Sequence, residues 1–324
     1  MLINDAIRSL RDLCVLRHFS INTEKTYVHW LGRYGRFLKD PGVKGSTAER
    51  KLETFLTRLA LSGVAAATQN QAFSALLCFY REVLKVELTG VDALRARRQP
   101  GIRQCPSHEE VTQLLATVAD LYGYPTRLIV HLLYGCGLRV SEPLNLRIKD
   151  LDLSQGRLYL YQTKGNKGRV VLFPRCLAEP LERQLVKART MAAQDRAAGI
   201  PVPLPGLLAK KYPWAARAER WAWLFPSHTI CADPRSHALV RWRCHENNVQ
   251  RAVRTAACRC RLEGLTPHLL RHAFASHALH GGASVRDLQV VLGHSNLETT
   301  MLYLHAETER VVSPIHTYAP DPVT

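Results

Sequence analysis

The stretch "TPHLLRHAFASH", residues 266–277, places His268 and Arg271 three residues apart in a segment with helical spacing. Side chains three positions apart are neighbours on a helix surface, so this spacing predicts that both lie on one face. Taken alone, a His-x-x-Arg pair is as compatible with packing and helix capping as with chemistry. Its meaning therefore depends on four other segments in the second half of the chain.

Two of these segments precede it. "GCGLRVSE" holds Arg139 at a glycine-containing turn that enters a helix. "RLYLYQTKGNKGRVVLFP", residues 157–174, alternates β-prone residues on both sides of a Gly, Asn and Lys tip, which is typical of a β-hairpin. Lys164 and Lys167 lie at that tip. An arginine at a helix start is usually an ion-pair partner, and a lysine at a hairpin tip is usually solvated.

The other two segments follow it. "VLGHSN" has His294 directly after a glycine, and Tyr303 comes nine residues later on an amphipathic helix. A tyrosine in this position is usually part of the core, so by itself it is weak evidence of function. In combination, however, these residues provide the groups needed for phosphodiester transfer without a metal.

The predicted phosphate-binding groups are Arg139 and Arg271. Attack on a DNA phosphodiester builds negative charge on the non-bridging oxygens, and planar guanidinium groups are suited to bind them. His294 would be a further donor to the same phosphate.

Tyr303 is the predicted nucleophile. A phenol, with a pKa near 10, leaves more readily than a serine hydroxyl when the DNA bond is resealed, and it forms a covalent intermediate. Lys164 would protonate the departing 5′ oxygen, with Lys167 as the alternative acid. Lys167 is otherwise predicted to bind DNA. His268 would help to deprotonate the phenol or order the phosphate.

The composition favours a nucleic-acid partner. Of the 324 residues, 44 are Lys or Arg and 27 are Asp or Glu, which gives a net charge of +17 and a pI near 9.8. An excess of this size predicts a polyanionic partner, although a merely basic protein is the alternative. No apolar run is long enough for a membrane span, so we expect a cytoplasmic protein. Nine scattered cysteines predict free thiols, and we expect no metal and no cofactor.

The chain divides into a helical first domain and a second domain that carries the site. Four amphipathic segments predict a helical bundle at residues 1–92, with Thr23 as a capping-box residue of its second helix. The second domain is expected at 107–310, opened by a capping box of Ser107 and Glu110 and followed by a tail at 311–324. The connecting segment 93–106 is predicted to lie along phosphates through four arginines, Arg95, Arg97, Arg98 and Arg103; the alternative is a solvated charged loop.

These residues resemble the tyrosine recombinases of the phage integrase superfamily. The family pattern of Arg, Lys, His-x-x-Arg, His or Trp, and Tyr falls in order on Arg139, Lys164, His268, Arg271, His294 and Tyr303. The resemblance implies a mainly α fold with a small β-sheet (α+β). It also implies a two-domain C-shaped clamp on DNA, in which a helical core-binding (SAM-like) domain joins a catalytic domain. Pro143 departs from the pattern but is expected to fit in a first helical turn.

The resemblance narrows to the integron integrases, because "RHFSINTEKTYVHW" and the stretch at about 204–227 are similar to segments of those enzymes. In them the added segment grips bases that protrude from a folded single-stranded cassette site. Its predicted phosphate and stacking groups here are Lys210, Lys211, Tyr212, Trp214 and Arg217. Trp221 and Trp223 are assigned equally to stacking and to packing.

The resemblance implies gene-cassette integration and excision at integron attachment sites through a 3′-phosphotyrosyl intermediate. The partners would be duplex and hairpin DNA, with a monomer that forms a homotetramer on DNA. Three alternatives stay open: a chromosome-dimer-resolving or phage-type recombinase acting on duplex sites, a type IB topoisomerase-like enzyme, and a DNA-binding regulator with a vestigial site.

Overall fold

The computed structural model describes residues 2–17, 19–90, 105–161, 168–206, 208–234 and 236–293. The chain divides into two compact units, Met1–Gly101 and Ile102–Thr324, and each has its own hydrophobic core. None of the helices within these ranges is long and apolar enough to cross a membrane.

The first unit is helical, as the sequence predicts. A core of aromatic and leucine side chains, including Trp30, Tyr34 and Phe73, lies between the helices. Tyr34 and Tyr80 share a buried hydrogen bond of 2.9 Å between their hydroxyls. The helices are α1 (Ile3–Leu16), α2 (Ile21–Phe37), α3 (Ala48–Leu61) and α4 (Ala66–Cys78), the last continued by a π-helical turn at Phe79–Val83.

The start of α2 differs from the prediction that Thr23 caps it. The capping residue is Ser20, whose hydroxyl accepts from the Thr23 backbone N–H at 3.0 Å. The helix thus begins at Ile21, which makes Thr23 its third residue. Serine and threonine are both good N-caps, so spacing alone could not separate them.

The second unit is mainly helical with two small sheets, which confirms the predicted fold class. The helices are α5 (His108–Thr117), α6 (Thr126–Gly135), α7 (Ser141–Leu144), α8 (Ala178–Ala197), α9 (Leu208–Lys211), α10 (Glu246–Arg259), α11 (Pro267–His280) and α12 (Val285–Leu292). The strands are β1 (Leu151–Asp152), β2 (Arg157–Leu160), β3 (Arg169–Leu172), β4 (Pro226–Ala232) and β5 (Leu239–Arg243).

Strands β2 and β3 form the predicted hairpin. They pair antiparallel, with Leu158 opposite Val171, and both of these side chains are buried. β1 adds a third strand beside β2. The predicted tip residues lie outside the described part of the chain.

Strands β4 and β5 form a second antiparallel pair that the sequence did not predict. The sequence of β4, "PSHTICA", has no apolar alternation because most of its side chains are exposed. A strand without a buried face carries no period-2 pattern, so nothing in its residues distinguished it from a loop.

Helix α6 organises the second core. Ile129, Val130, Leu132 and Leu133 are fully buried, so the helix is apolar nearly all round and packs against α10 and α11. Truncation of one such leucine to alanine typically costs about 2–5 kcal/mol of stability. The turn that carries Arg139 directly follows this buried helix. Ser107 and Glu110 form the predicted capping box at the start of α5.

Candidate active site

The Arg139 turn is built on Gly137. This glycine has φ +62°, and a Cβ at its position would collide with the Phe274 ring of α11. Left-handed backbone favours glycine, and the contact with Phe274 leaves no room for a side chain. The turn is therefore pressed against α11, the helix that carries His268 and Arg271.

Arg139 faces partly to solvent. Its side chain is 29% exposed, and its Nη1 donates to Glu142 Oε1 at 3.0 Å. The backbone N–H of Arg139 also donates to Glu142 Oε2 at 2.8 Å. The guanidinium is thus held from one side and open on another, which suits an arginine that meets a phosphate.

Arg271 is buried, with only 1% of its surface exposed. It donates to the carbonyl of Gly137 at 2.8 Å and to the carbonyl of Leu292, and its Nη1 lies 3.7 Å from Glu142 Oε2. The structure therefore brings Arg139 and Arg271 to one carboxylate. A single buried Arg on α11 joins the Arg139 turn to the end of α12.

Glu142 is the centre of this cluster, and sequence reasoning did not identify it. Arg169, at the start of β3, binds both of its oxygens, with Nη1 at 2.7 Å and Nη2 at 2.8 Å. Burial raises the pKa of this carboxyl, but the hydrogen bonds and charge of Arg169, the Arg139 N–H and the charge of Arg271 outweigh it, and its pKa lies below its ordinary value. Glu142 is therefore ionised and shared by three arginines.

His268 is exposed on α11, whereas Arg271 is buried. Their spacing predicts one helix face, but the two side chains differ in exposure to solvent. The Nε2 atoms of His268 and His272 lie 2.9 Å apart, a pairing across one helical turn. His268 also lines a cavity of 790 Å³ together with Arg254 and Arg261. These two arginines are further candidates for phosphate contacts, and only their positive charge marked them in the sequence.

The remaining predicted catalytic residues, Lys164, His294 and Tyr303, lie outside the described residues, as do Lys167 and the arginines of the connecting segment. Described elements lie next to two of these residues in the sequence. β2 and β3 flank the segment that contains Lys164, and α12 ends directly before Gly293, the residue that precedes His294.

The added segment presents a basic and aromatic surface. Trp214 is 64% exposed and Tyr212 40%, and their rings are 6.2 Å apart. The Lys211 ammonium lies 5.4 Å from the centre of the Tyr212 ring, and Lys210 and Arg217 are exposed nearby. Residues 208–217 thus carry stacking faces and cations on one short stretch.

Trp221 and Trp223 lie in a different environment. Trp223 is buried, and the Arg147 guanidinium lies 3.8 Å from the centre of its ring. Trp221 is partly buried, and Lys149 lies 4.7 Å from its ring centre. Both tryptophans therefore pack the segment onto the rest of the second unit.

A cavity of 580 Å³ connects the arginine cluster with this segment. Its lining is basic and aromatic, and includes Arg139, Lys149, Tyr161, Pro205 and Trp221. The candidate site is thus continuous with the base of the added segment. No group of three or more metal-ligating side chains lies together among the residues that the structure describes.

Known proteins share both units of this chain. The phage integrase family model matches residues 106–310, and the model of the phage integrase N-terminal SAM-like domain matches residues 7–90. An integrase/recombinase of Escherichia coli is 38% identical, over 92% of this chain and 90% of that protein. Tyrosine recombinase XerD of Agrobacterium fabrum is 31% identical, over 94% of this chain and 90% of that protein.

Among solved structures, the XerH site-specific recombinase bound to palindromic difH substrate in a post-cleavage complex superposes with a TM-score of 0.61. It is 19% identical, covering 91% of this chain and 79% of that one, so it supports the fold. From the family match over most of the chain and the identity to full-length relatives, we conclude that this chain belongs to the phage integrase family of tyrosine recombinases.

Proposed function

We propose that this chain is a site-specific DNA recombinase of the integron integrase type, which integrates and excises gene cassettes. The observation that carries the chemistry is the arginine cluster, in which Arg139, Arg169 and Arg271 converge on the ionised Glu142. One ionised carboxylate holds three guanidinium groups close together and offsets part of their mutual repulsion. Three guanidinium groups and one carboxylate leave a net positive charge, which favours a phosphodiester bound at Arg139.

In the proposed reaction the Tyr303 hydroxyl attacks the scissile phosphorus. A bond forms between the tyrosine oxygen and phosphorus, and the bond from phosphorus to the 5′ oxygen breaks. The phenol proton passes to a base, for which His268 is the candidate, and Lys164 supplies a proton to the 5′ oxygen. Arg139, Arg271 and His294 stabilise the charge on the non-bridging oxygens. Attack by a partner strand's 5′ hydroxyl reverses these steps and reseals the DNA.

The integron assignment rests on the surface of residues 208–217. Exposed Tyr212 and Trp214 beside Lys210, Lys211 and Arg217 suit unpaired bases and their phosphates, since every base offers a face for stacking. The proposed partners are attachment-site DNA, duplex or folded as a single-stranded hairpin, and a homotetramer assembled on it. No cofactor takes part, and the proposed location is the cytoplasm.

The catalytic proposal is tested with a suicide substrate, whose cleaved strand diffuses away and traps the covalent complex. Wild-type protein should form a protein–DNA adduct at the scissile phosphate, and Tyr303→Phe should form none while still binding the DNA. An adduct that survives in Tyr303→Phe, or none with wild type, would defeat the proposal. Relaxation of supercoiled DNA without strand joining would point to a topoisomerase-like activity instead.

The integron assignment is tested by comparing a cassette-site hairpin with the same site as a duplex. We expect tighter hairpin binding, and Trp214→Ala should weaken it about tenfold, because loss of one base–aromatic stack costs about 1–3 kcal/mol. Duplex affinity should change little. Tyr122→Ala is a matched control, because Tyr122 is also 64% exposed but lies outside this surface.

A second candidate is a recombinase that acts only on duplex sites. It is favoured by the 31% identity to the XerD protein, which spans nearly the full length of both chains. Equal affinity for hairpin and duplex, with no effect of Trp214→Ala, would select this candidate. Adduct formation on a suicide substrate is expected for both candidates, so the two tests are independent.

A further inference from the structure

Arg169 joins three segments that are distant in sequence. It begins β3, its Nη1 and Nη2 bind Glu142 of the Arg139 turn, and its Nε donates to the carbonyl of Val291 in α12 at 2.7 Å. The side chain is 8% exposed, so it is held inside the protein. All three guanidinium nitrogens thus have protein acceptors, in the forked geometry that only arginine provides.

The bonds to α12 come in a pair. Val291 and Leu292 are the last two residues of the helix, and helix C-termini leave carbonyls without intrahelical partners. Arg169 donates to the carbonyl of Val291, and Arg271 donates to the carbonyl of Leu292. Two arginines that share Glu142 therefore also fix consecutive carbonyls at the end of α12.

Gly293 ends α12 against the same guanidinium. It has φ +62°, and a Cβ at its position would lie 3.1 Å from both Cδ and Nη1 of Arg169. The glycine is needed for its left-handed backbone and for this close approach. The left-handed end of α12 at Gly293 is consequently packed against Arg169.

We propose that Arg169 is a positioning residue for DNA cleavage, which acts through Glu142 on Arg139 and Arg271. This inference rests on the proposed function. Through Glu142, Arg169 orients Arg139 and Arg271 for the non-bridging oxygens. Its contacts with Val291 and Gly293 hold the Arg169 side chain against the end of α12.

The test uses the full-length protein and the variant Arg169→Lys, which keeps the charge and loses the fork. At saturating DNA we expect the rate of covalent adduct formation to fall about 10- to 100-fold, the loss that follows removal of a group that orients the ligands of a metal site. Non-covalent DNA affinity should stay within about twofold, because Arg169 does not reach the solvent-facing surface. If Arg169→Lys does not fold, Arg169→Gln, which keeps two donors, is measured in the same way.

A neutral substrate separates positioning from general loss of structure. When a methylphosphonate replaces the scissile phosphate, one negative charge is missing, so the arginine pair matters less for cleavage. The defect of Arg169→Lys should then shrink to about threefold or less. A defect of equal size on both substrates, or a variant as fast as wild type on the phosphodiester, would overturn the proposal.

The matched control is Arg241→Lys. Arg241 binds both oxygens of Asp195 at 2.8 and 2.6 Å and is similarly buried, but it lies away from the arginine cluster. We expect it to lose stability as Arg169→Lys does and to keep the wild-type cleavage rate. If wild type forms no adduct, the proposed function fails and this inference fails with it. If wild type forms the adduct and Arg169→Lys forms it at the same rate, this inference fails and the proposed function stands.

Discussion

At the scale of single residues, the carboxylate of Glu142 contributes to stability and orients the arginines of the site. Glu142→Gln removes the charge that three arginines share and leaves them facing one another in a buried site. We expect a loss of about 3 kcal/mol in the free energy of unfolding, since breaking a buried ion pair costs about 3–5 kcal/mol and the amide keeps one acceptor. Urea denaturation at pH 7 measures this.

The same substitution has a defined pH dependence. The pKa of Glu142 is lower in the folded protein than its ordinary value, so its stabilising contribution is complete above the unfolded pKa of about 4.3 and is lost as the pH falls through the lower, folded pKa. The stability gap between wild type and Glu142→Gln should thus be constant from about pH 5 to 8 and should narrow as the pH falls below the unfolded pKa of about 4.3. A gap that does not narrow at all in acid would show that charge is not its cause.

Sequence analysis identified two arginines of the cluster, Arg139 and Arg271, but not Glu142 and Arg169, which orient them. Arg139 and Arg271 belong to short, chemically distinctive segments, and the structure brings them to one carboxylate. Glu142 and Arg169 are 27 positions apart, and nothing local in either segment predicts their bidentate pair. A buried charge network depends on tertiary packing, and local periodicity contains no information about it.

At the scale of secondary-structure elements, Arg147 attaches the added segment to the rest of the second unit. It donates to the carbonyls of Trp221 and Pro203, and its burial lowers the pKa of its guanidinium to about 10. Arg147→Met leaves two carbonyls without their donor, so we expect a loss of about 2–4 kcal/mol. Trypsin should also cut faster within residues 204–227 of the variant.

Arg189→Met is the control for that prediction. Arg189 pairs with Glu219 of the same segment, but both side chains are largely exposed, 54% and 41%. An exposed ion pair contributes about 1 kcal/mol or less, so stability and trypsin sensitivity should stay close to wild type. Equal effects of the two substitutions would mean that Arg147 has no special role in attaching the segment.

Helices α5, α6 and α11 meet at a group of histidines and a tyrosine. The His277 ring bonds the Tyr134 hydroxyl at 2.9 Å and the Pro106 carbonyl at 3.0 Å. Burial lowers the pKa of His277 below its ordinary 6.5, and the charges of His108 and His280 lower it further. The hydrogen bond with the Pro106 carbonyl opposes this shift. The neutral ring therefore contributes stability above pH 6.5 that is lost as the pH falls through the folded pKa.

His277→Gln should flatten the pH dependence of stability below about pH 6.5, because glutamine stays neutral. Urea midpoints of wild type and variant, compared at a pH well above and a pH well below 6.5, measure the change. His228→Gln, at an exposed histidine of β4, is the control and should retain the wild-type slope. A wild-type slope in His277→Gln would contradict the prediction.

The elements themselves were predictable where one face is buried. α6 and the β2–β3 hairpin follow from apolar periodicity, and the capping box of Ser107 follows from side-chain spacing. β4 was missed because its side chains are mostly exposed, and the start of α2 was misplaced because two residues could cap it. Sequence patterns thus reveal the elements that bury one apolar face and miss those that do not.

At the scale of the whole molecule, the two units have separate cores, and each carries an excess of basic residues. A fragment of residues 1–90 should fold alone, with helical circular dichroism and a cooperative melt, because its core is complete. The family resemblance implies that both units contact DNA. If they do, binding of one unit raises the effective concentration of the other near the same DNA, because one chain joins them.

DNA binding by the full chain should therefore depend more steeply on salt than binding by either unit. Each neutralised phosphate adds about 0.9 to the slope of log K against log salt on duplex DNA, and contacts from both units add together. Fluorescence anisotropy at a series of salt concentrations gives the slopes for the fragment 1–90, for residues 105–324 and for the full chain. If the slope of one unit equalled that of the full chain, the other unit would contribute no phosphate contacts, and the two-unit grip on DNA would be wrong.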